Sequence, residues 1–262
     1  MMTQQERLIF LIKYLILESS EYKNIEIPNS EIEQKKLLRS LMNVRLPKPI
    51  SREFLEIQNR YLEEENKKHL VSLSELKPIR KGIYLWKGDI TTLQIDGIVN
   101  AANSAMLGCF VPCHGCIDNA IHTYAGIELR LECAELMRNQ IEEEPTGSAK
   151  ITGAYNLPSK YVIHTVGPII HKDLKLQDCE LLASCYRSCI DLAIEHDLKS
   201  LAFCCISTGE FHFPNDKAAE IAVTTVMNDL KRRQSEMEVV FNVYKEIDYK
   251  LYQRLLEEDR EY

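Results

Sequence analysis

The sequence predicts an α/β domain built on a central sheet, preceded by a helical extension. From about residue 80 onward, short apolar strands alternate with segments of helical periodicity, which is the pattern of an α/β fold. Before about residue 75 there is no glycine, and apolar residues recur at helical spacing. We therefore divide the chain into a helical extension at 1–76 and an α/β domain at 77–262.

The extension is predicted to contain three helices. Apolar residues at helical spacing across 8–16 predict the first. Ser30 followed by Glu33 resembles a capping box that opens the second, and the Pro-Lys-Pro at 47–49 ends it. Ser51 is placed to cap the third helix.

The elements of the domain follow from their periodicity and from their boundaries. Strands are predicted at 83–86, 98–102, 149–155, 161–166, 201–207 and 238–244. Helices are predicted around 117–124, through 129–136, at 177–195, from about 214, and at 249–258.

Composition excludes several classes of protein. The net charge of −7 argues against nucleic acid as a partner, because a duplex binder needs a basic surface. No apolar run approaches the roughly 18 residues of a membrane helix, and the N-terminus lacks the features of a signal peptide. The sequence thus predicts a cytoplasmic protein with no membrane partner.

The chain has nine cysteines, an odd number, so at least one cannot form a disulfide within the chain. The cysteines at core-like positions are expected to be buried thiols: Cys133, Cys185, Cys189, Cys204 and Cys205.

Three loops that leave predicted strands carry unusual chemistry, at 88–90, 100–104 and 206–214. In open α/β sheets, ligands bind beyond the carboxyl ends of strands. The Ser-Thr-Gly turn in the third loop precedes a helix, and its backbone N–H groups can bind a phosphate; a plain tight turn explains the same residues. Asp89 in the first loop can equally be a helix N-cap.

The segment CFVPCHGC at 109–116 combines three cysteines and a histidine. Thiolate and imidazole together favour zinc, and a catalytic zinc has three protein ligands. A disulfide is disfavoured by the cytoplasmic prediction, and plain packing by His114 within a Pro- and Gly-containing loop. A thiol nucleophile activated by His114 is a further alternative. Two ligand sets stay open: His114 and Cys116 with Cys109, or with Cys113, whose spacing to Cys116 is the tight CxxC.

The remaining histidines have simpler interpretations. His122 follows a helical pattern and His164 lies in an apolar strand, so both are predicted to be satisfied structural residues. His212 lies in the third loop, at 206–214, and two orientations stay open for its side chain: toward a ligand bound by that loop, or away from it.

Five motifs occur in order between residues 80 and 260, and together they resemble the macrodomain family, which binds ADP-ribose. They are GDIT (88–91), IVNAANS (98–104), CIDNAIH (116–122), YVIHTVGP (161–168) and ISTGEFHFP (206–214). The resemblance implies a three-layer α/β/α fold with a central mixed sheet, with residues 77–262 forming the macrodomain.

The resemblance also implies roles for individual residues. Asp89 matches the acid that binds the adenine amino group, and Ile90 is its backbone neighbour. Asn103 matches the asparagine that touches the distal ribose, and Asp118 the aspartate of hydrolytic members near the reacting carbon. The other implied ligand-binding residues are Asn119 and the loop around the diphosphate, made of Ser207, Thr208, Gly209, Glu210 and Phe211.

One departure from the family pattern is informative. Many hydrolytic members have glycines before the aspartate, where this chain has 109–116. This resembles the zinc-containing microbial branch, which also carries an N-terminal helical extension. The resemblance implies that Cys109, His114 and Cys116 hold Zn²⁺, with Cys113 as the spare.

The activity implied by this branch is removal of ADP-ribose from ADP-ribosylated protein, and some members act opposite a sirtuin-type ADP-ribosyl transferase. An ADP-ribose-binding reader with a structural zinc and an O-acetyl-ADP-ribose deacetylase are the alternatives.

Overall fold

The computed structural model describes residues 2–258 and opens with three helices, α1 (Gln4–Leu17), α2 (Glu31–Val44) and α3 (Arg52–Asn66). The Ser51 hydroxyl accepts a hydrogen bond from the backbone N–H of Phe54 at 3.2 Å, so the predicted cap is confirmed. Ser30 does precede α2, but its side chain makes no capping hydrogen bond, so the predicted capping box is wrong. The three helices share a buried apolar cluster that also includes Ile127 of the domain. The extension therefore packs directly on the α/β domain.

The domain is built on a mixed, seven-stranded sheet. The described residues form nine strands: β1 (Val71–Ser72), β2 (Pro78–Arg80), β3 (Ile83–Lys87), β4 (Leu93–Gln94), β5 (Gly97–Ala102), β6 (Ala149–Gly153), β7 (Tyr161–Val166), β8 (Ser200–Phe203) and β9 (Glu238–Val243). The order in the large sheet is β2-β3-β9-β8-β5-β7-β6, and β1 pairs separately with β4. The five central strands are parallel, whereas the edge strands β2 and β6 are antiparallel to their neighbours. The carboxyl ends of the central strands consequently lie along one edge of the sheet.

Helices cover both faces of the sheet, which gives the predicted three-layer α/β/α architecture. Within residues 2–258, five α-helices follow the extension: α4 (Ile117–Ala125), α5 (Ile127–Arg138), α6 (Leu176–Glu195), α7 (Asn215–Arg233) and α8 (Glu246–Glu258). Helices α6, α7 and α8 pack side by side, while α4 and α5 lie between the sheet and the extension. In the part of the chain that the structure describes, no helix is long and apolar enough to cross a membrane. The cytoplasmic location stays a prediction.

The structure differs from the predicted elements at several ends. The apolar run at 201–207 is not all strand, because β8 ends at Phe203 and the chain then turns into the loop that precedes α7. The start of this loop is apolar because it is buried, as Cys204 and Ile206 show. The short strands β1, β2 and β4 were not predicted, since two or three residues carry no periodicity. Residues 259–262 of the predicted domain lie outside the described residues.

Candidate active site at the carboxyl edge of the sheet

Three loops meet at the carboxyl edge of the parallel strands. They follow β3 at 88–92, β5 at 103–116 and β8 at 204–214. Because β3, β9, β8 and β5 are consecutive and parallel, their loops project to the same side. The structure thus brings together the three loops that the sequence singled out.

Asp118 lies in the first turn of α4, beneath the loop that follows β5, and is only 5% exposed. One carboxylate oxygen, Oδ1, accepts a hydrogen bond from Asn100 Nδ2 at 2.8 Å, and Oδ2 accepts from Asn103 Nδ2 at 3.2 Å. Burial raises the pKa of the Asp118 carboxyl to about 6, although both hydrogen bonds act in the opposite direction. The site therefore holds a fixed, almost desolvated carboxyl group.

The side-chain amide of Asn103 is oriented by two acceptors. Its Nδ2 donates to the Gly108 carbonyl at 3.0 Å and to Asp118 at 3.2 Å, which uses both of its N–H bonds. The Asn103 amide oxygen is therefore the atom left to accept a hydrogen bond from a ligand hydroxyl.

Cys109, His114 and Cys116 form a cluster whose ligand atoms all lie within 4.8 Å of one another. Cys109 Sγ lies 3.7 Å from His114 Nδ1. Zinc–ligand distances of about 2.3 Å to sulfur and about 2.0 Å to nitrogen place such donors about 3.6 Å apart in a tetrahedral site. The three side chains therefore fit a zinc ion. Burial raises the pKa of the Cys116 thiol to about 12, and a metal ion bound at this position would favour its thiolate form.

Cys113 points away from this cluster. Its backbone has φ of 52°, in the left-handed region, and the reversal sends its thiol toward α2. There Cys113 Sγ lies 3.2 Å from Ser40 Oγ and 3.4 Å from the Lys36 carbonyl oxygen. Of the two ligand sets that the sequence left open, the structure assembles the one that contains Cys109.

The second ring nitrogen of His114 faces an acidic side chain. His114 Nε2 lies 3.7 Å from Glu210 Oε1, which belongs to the loop after β8. A carboxylate on the outer nitrogen of a metal-binding histidine fixes the orientation of the ring. At 3.7 Å this contact is longer than a hydrogen bond, and the Glu210 side chain is 70% exposed, so its predicted role in ligand binding stays a prediction.

The loop at 204–214 offers backbone donors. Ser207 and His212 both have positive φ, and the loop is closed by hydrogen bonds from Phe213 N to the Ser207 carbonyl and from His212 N to the Gly209 carbonyl. Among the described residues, none accepts a hydrogen bond from the backbone N–H groups of 209–211. The Ser207 hydroxyl is buried and has no partner either. Thr208 lies in the same turn, with its hydroxyl donating to the Cys205 carbonyl at 3.0 Å. Unpaired donors that converge in one loop are the arrangement that binds a phosphate group.

Asp89 and Ile90 begin a short 3-10 turn after β3. Asp89 Oδ1 accepts hydrogen bonds from the Thr91 backbone N–H at 2.9 Å and from the Thr91 hydroxyl at 2.6 Å, so the N-cap role is present. The side chain of Ile90 is buried, and only its backbone can face a ligand.

Asn119 differs from its predicted role in ligand binding. Its side chain is fully buried, and its amide is used within the protein: Oδ1 accepts from Arg39, and Nδ2 donates to the carbonyls of Val111 and Cys109. The amide has no further donor to offer, so its side chain serves the loop instead of the ligand.

The two buried histidines, His122 and His164, differ in whether their ring nitrogens are hydrogen-bonded. His164 is satisfied as predicted, with Asn100 Nδ2 at 3.1 Å from Nδ1 and Thr152 Oγ1 at 3.0 Å from Nε2. His122 is buried, but neither ring nitrogen has a hydrogen-bond partner, so the prediction of a satisfied residue is wrong for it. Burial and the neighbouring His164 hold the pKa of His122 well below its ordinary value, and its ring is therefore neutral.

Sequence reasoning missed Asn100, Arg39 and Arg130. Asn100 was visible as a lone amide inside an apolar strand, where a buried polar side chain needs a partner. No local pattern marks Arg39 or Arg130, because their partners are distant in the sequence. Arg39 binds Asn119, 80 residues away, and Arg130 binds the Met42 carbonyl, 88 residues away.

Comparison with known proteins shows the family to which the chain belongs. The Macro domain family matches residues 99–222. A protein-ADP-ribose hydrolase of Treponema medium is 57% identical over 260 residues, which cover 97% of this chain and 100% of that protein. A protein-ADP-ribose hydrolase of Staphylococcus aureus (strain MSSA476) is 48% identical over 261 residues, 99% of this chain and 98% of that protein.

Solved structures show the same fold. The Trypanosoma brucei macrodomain in complex with ADP-ribose is 30% identical, with a TM-score of 0.66, and the match covers 83% of this chain and 94% of that one. The relatives from Treponema and Staphylococcus match along nearly their whole length, extension included. This chain belongs to the Macro domain family.

Proposed function

We propose that this protein is a zinc-dependent protein-ADP-ribose hydrolase, which cleaves the bond between the distal ribose of ADP-ribose and a protein side chain. The observation that carries the proposal is the placement of Asp118 and Asn103 directly beside a three-donor metal cluster. The names of relatives that are 48% and 57% identical support the same activity.

The backbone of the loop after β8 would hold the substrate. The N–H groups of 209–211 are free to donate to the diphosphate, which fixes the position of the attached ribose. Asp89 and the Ile90 backbone would bind the adenine at the adjacent loop. These contacts to the diphosphate and the adenine lie away from the reacting carbon, and their binding energy would hold the ribose in position for the chemical step.

At the other end, Asn103 and Asp118 would act on the distal ribose. The free amide oxygen of Asn103 would accept a hydrogen bond from a ribose hydroxyl, while one of its N–H bonds holds the Asp118 carboxylate and the other donates to the Gly108 carbonyl. Asp118 would position the attacking water near the reacting carbon.

Cys109, His114 and Cys116 would hold the zinc ion, because their donor atoms fit its coordination distances. A bound zinc ion supplies a Lewis acid that stabilises developing negative charge on oxygen. We further propose that a sirtuin-type ADP-ribosyl transferase makes the modification that this protein removes; the resemblance to the zinc-containing branch supports that partner.

The test compares Asp118→Ala with Asp216→Ala, an exposed aspartate in the first turn of α7. Release of ADP-ribose from a modified protein is followed by mass spectrometry, and ADP-ribose binding by calorimetry. We expect Asp118→Ala to lose about 100-fold or more of the rate, with the control unchanged. Full activity of Asp118→Ala would overturn the proposal. Tight ADP-ribose binding by the unmodified chain without any release would identify a reader, and faster turnover of O-acetyl-ADP-ribose than of modified protein would identify a deacetylase.

A further inference from the structure

Helix α2 of the extension lies directly against residues 103–116, the loop that carries the three candidate metal ligands and that we call the metal loop. Arg39, on this helix, donates from Nε and Nη2 to Asn119 Oδ1, at 3.1 and 2.8 Å. Its Nη2 also donates to the backbone carbonyl of His114, at 3.0 Å. One guanidinium from the extension therefore holds two points of the domain at the metal loop.

Asn119 extends this contact to the other two ligands. Its Nδ2 lies 2.9 Å from the Val111 carbonyl oxygen and 3.5 Å from the Cys109 carbonyl oxygen. Its backbone N–H donates to Cys116 Sγ at 3.4 Å. Arg39 and Asn119 together thus contact the backbone of Cys109 and His114 and the thiol of Cys116.

Two further residues of α2 fix the turn at Cys113. Asn43 Oδ1 accepts a hydrogen bond from the Cys113 backbone N–H at 2.9 Å, and Ser40 Oγ lies 3.2 Å from Cys113 Sγ. Cys113 has left-handed φ, which a residue other than glycine adopts only when its surroundings hold it there. The turn is what separates the Cys113 thiol from the neighbouring His114 ring.

The loop at 103–116 contains no helix or strand, and of the three donors only Cys116, the N-cap of α4, is held by an adjacent helix. A metal site in such a loop binds tightly only if the donors are held together before the metal arrives, because ordering the loop otherwise reduces the affinity. On this chain Asn119 of α4 holds part of the loop, and the extension supplies the other holding groups, Arg39, Ser40 and Asn43.

We propose that Arg39 is a positioning residue for the metal cluster, and that α2 of the N-terminal extension is the element that shapes the metal loop. Arg39 touches none of the three donor atoms and acts through Asn119 and the His114 carbonyl. The inference rests on the proposed zinc at Cys109, His114 and Cys116.

The test measures zinc affinity by competition with a chromophoric chelator in full-length wild type, Arg39→Ala and Arg39→Lys. The matched control is Arg52→Ala, because Arg52 is also an arginine of the extension, but its side chain is 92% exposed and, among the described residues, pairs only with Glu56. ADP-ribose affinity of the metal-free proteins, measured by calorimetry, is the second readout.

We expect Arg39→Ala to bind zinc about 10- to 100-fold more weakly, the effect typical of removing an outer-shell partner. Arg39→Lys, which keeps the charge and most of the packing, should still bind severalfold more weakly, since one ammonium cannot reach both acceptors in the geometry of the fork. Arg52→Ala should match wild type, and metal-free ADP-ribose affinity should change less than about twofold in all three variants.

Wild-type zinc affinity in folded Arg39→Ala would overturn the positioning role while leaving the proposed function intact. If Arg39→Ala does not fold, wild-type affinity in Arg39→Lys has the same meaning. Absence of zinc binding by the wild-type protein itself would overturn both the proposed zinc site and this inference.

Discussion

Replacing Arg130 by methionine tests how the extension is attached to the domain. Arg130 lies on α5 and is 5% exposed. Its Nε donates to the Leu107 carbonyl at 2.8 Å, and its guanidinium lies 4.4 Å from the centre of the Phe110 ring. Its Nη1 lies within hydrogen-bond distance of three carbonyl oxygens at the end of α2, those of Met42, Asn43 and Arg45, at 2.9, 3.0 and 2.6 Å. Arg130 therefore caps the C-terminus of one helix of the extension while holding the start of the metal loop.

The expected cost follows from these acceptors. Methionine fills much of the volume but donates no hydrogen bond, so the helix-end carbonyls and Leu107 lose their partner. A buried acceptor left without a partner costs about 1–3 kcal/mol. The cavity beside the guanidinium measures about 10 Å³, room for at most one water molecule. Removing the charge returns part of the loss, because burial already lowers the pKa of Arg130 to about 10. We expect Arg130→Met to lower the free energy of unfolding by about 3 kcal/mol.

Urea unfolding measures this loss, with circular dichroism for the helices and fluorescence of the single tryptophan, Trp86 on β3, for the sheet. Arg138→Met is the matched control, because Arg138 lies on the same helix, its side chain is 70% exposed, and in the part of the chain that the structure describes it pairs only with Glu135. Its effect should stay within about 0.5 kcal/mol. If Arg130→Met lowered the free energy of unfolding by less than about 1 kcal/mol, or by no more than the control, Arg130 would not be the residue that attaches the extension to the domain.

Three further predictions concern the metal loop and the buried histidines. Cys109→Ser should reduce zinc affinity by more than about 100-fold, whereas Cys113→Ser should leave it within about threefold, because only the first thiol lies in the cluster. Burial lowers the pKa of His164 to about 3, below its unfolded value of about 6.5, so its contribution to stability is complete above pH 6.5 and is lost as the pH falls. His164→Asn should therefore flatten the decline in unfolding free energy between pH 6 and pH 4 by about 1.4 kcal/mol per pH unit. Gly108→Ala should lower stability by about 2 kcal/mol, because Gly108 has φ of 79° and an added Cβ would lie 2.7 Å from a buried histidine ring, while Gly115→Ala, with nothing within 4 Å, should be neutral.

A specific experimental result would contradict each of these three predictions. Equal zinc affinity in the two cysteine variants, by chelator competition, would contradict the ligand set. An unchanged pH dependence of the urea midpoint in His164→Asn would contradict a neutral buried ring. Equal melting temperatures for the two glycine variants would contradict the close packing at Gly108.

The order of strands and helices could be predicted because the pattern that specifies them is local. The strand at 161–166 and the helix at 177–195 were found almost to the residue, since burial imposes a periodicity over their whole length. The end of β8 could not be, because a buried loop and a buried strand have the same apolar composition. The loops that form the candidate site were predictable for a related reason: each directly follows a strand, and parallel strands bring their ends together.

What the sequence could not specify is the choice between Cys109 and Cys113. Both lie within a few residues of His114 and Cys116, so spacing alone permits either set, and the CxxC pattern even favours Cys113. The structure makes the choice through contacts from far along the chain: Asn43 and Ser40 of α2 hold the backbone and thiol of Cys113 on the side of the extension. With Cys113 held there, the chain reverses and His114 turns toward Cys109. Which cysteine joins the candidate metal cluster is thus set by a helix outside the matched family region, which explains why the cysteine spacing alone left two candidate ligand sets open.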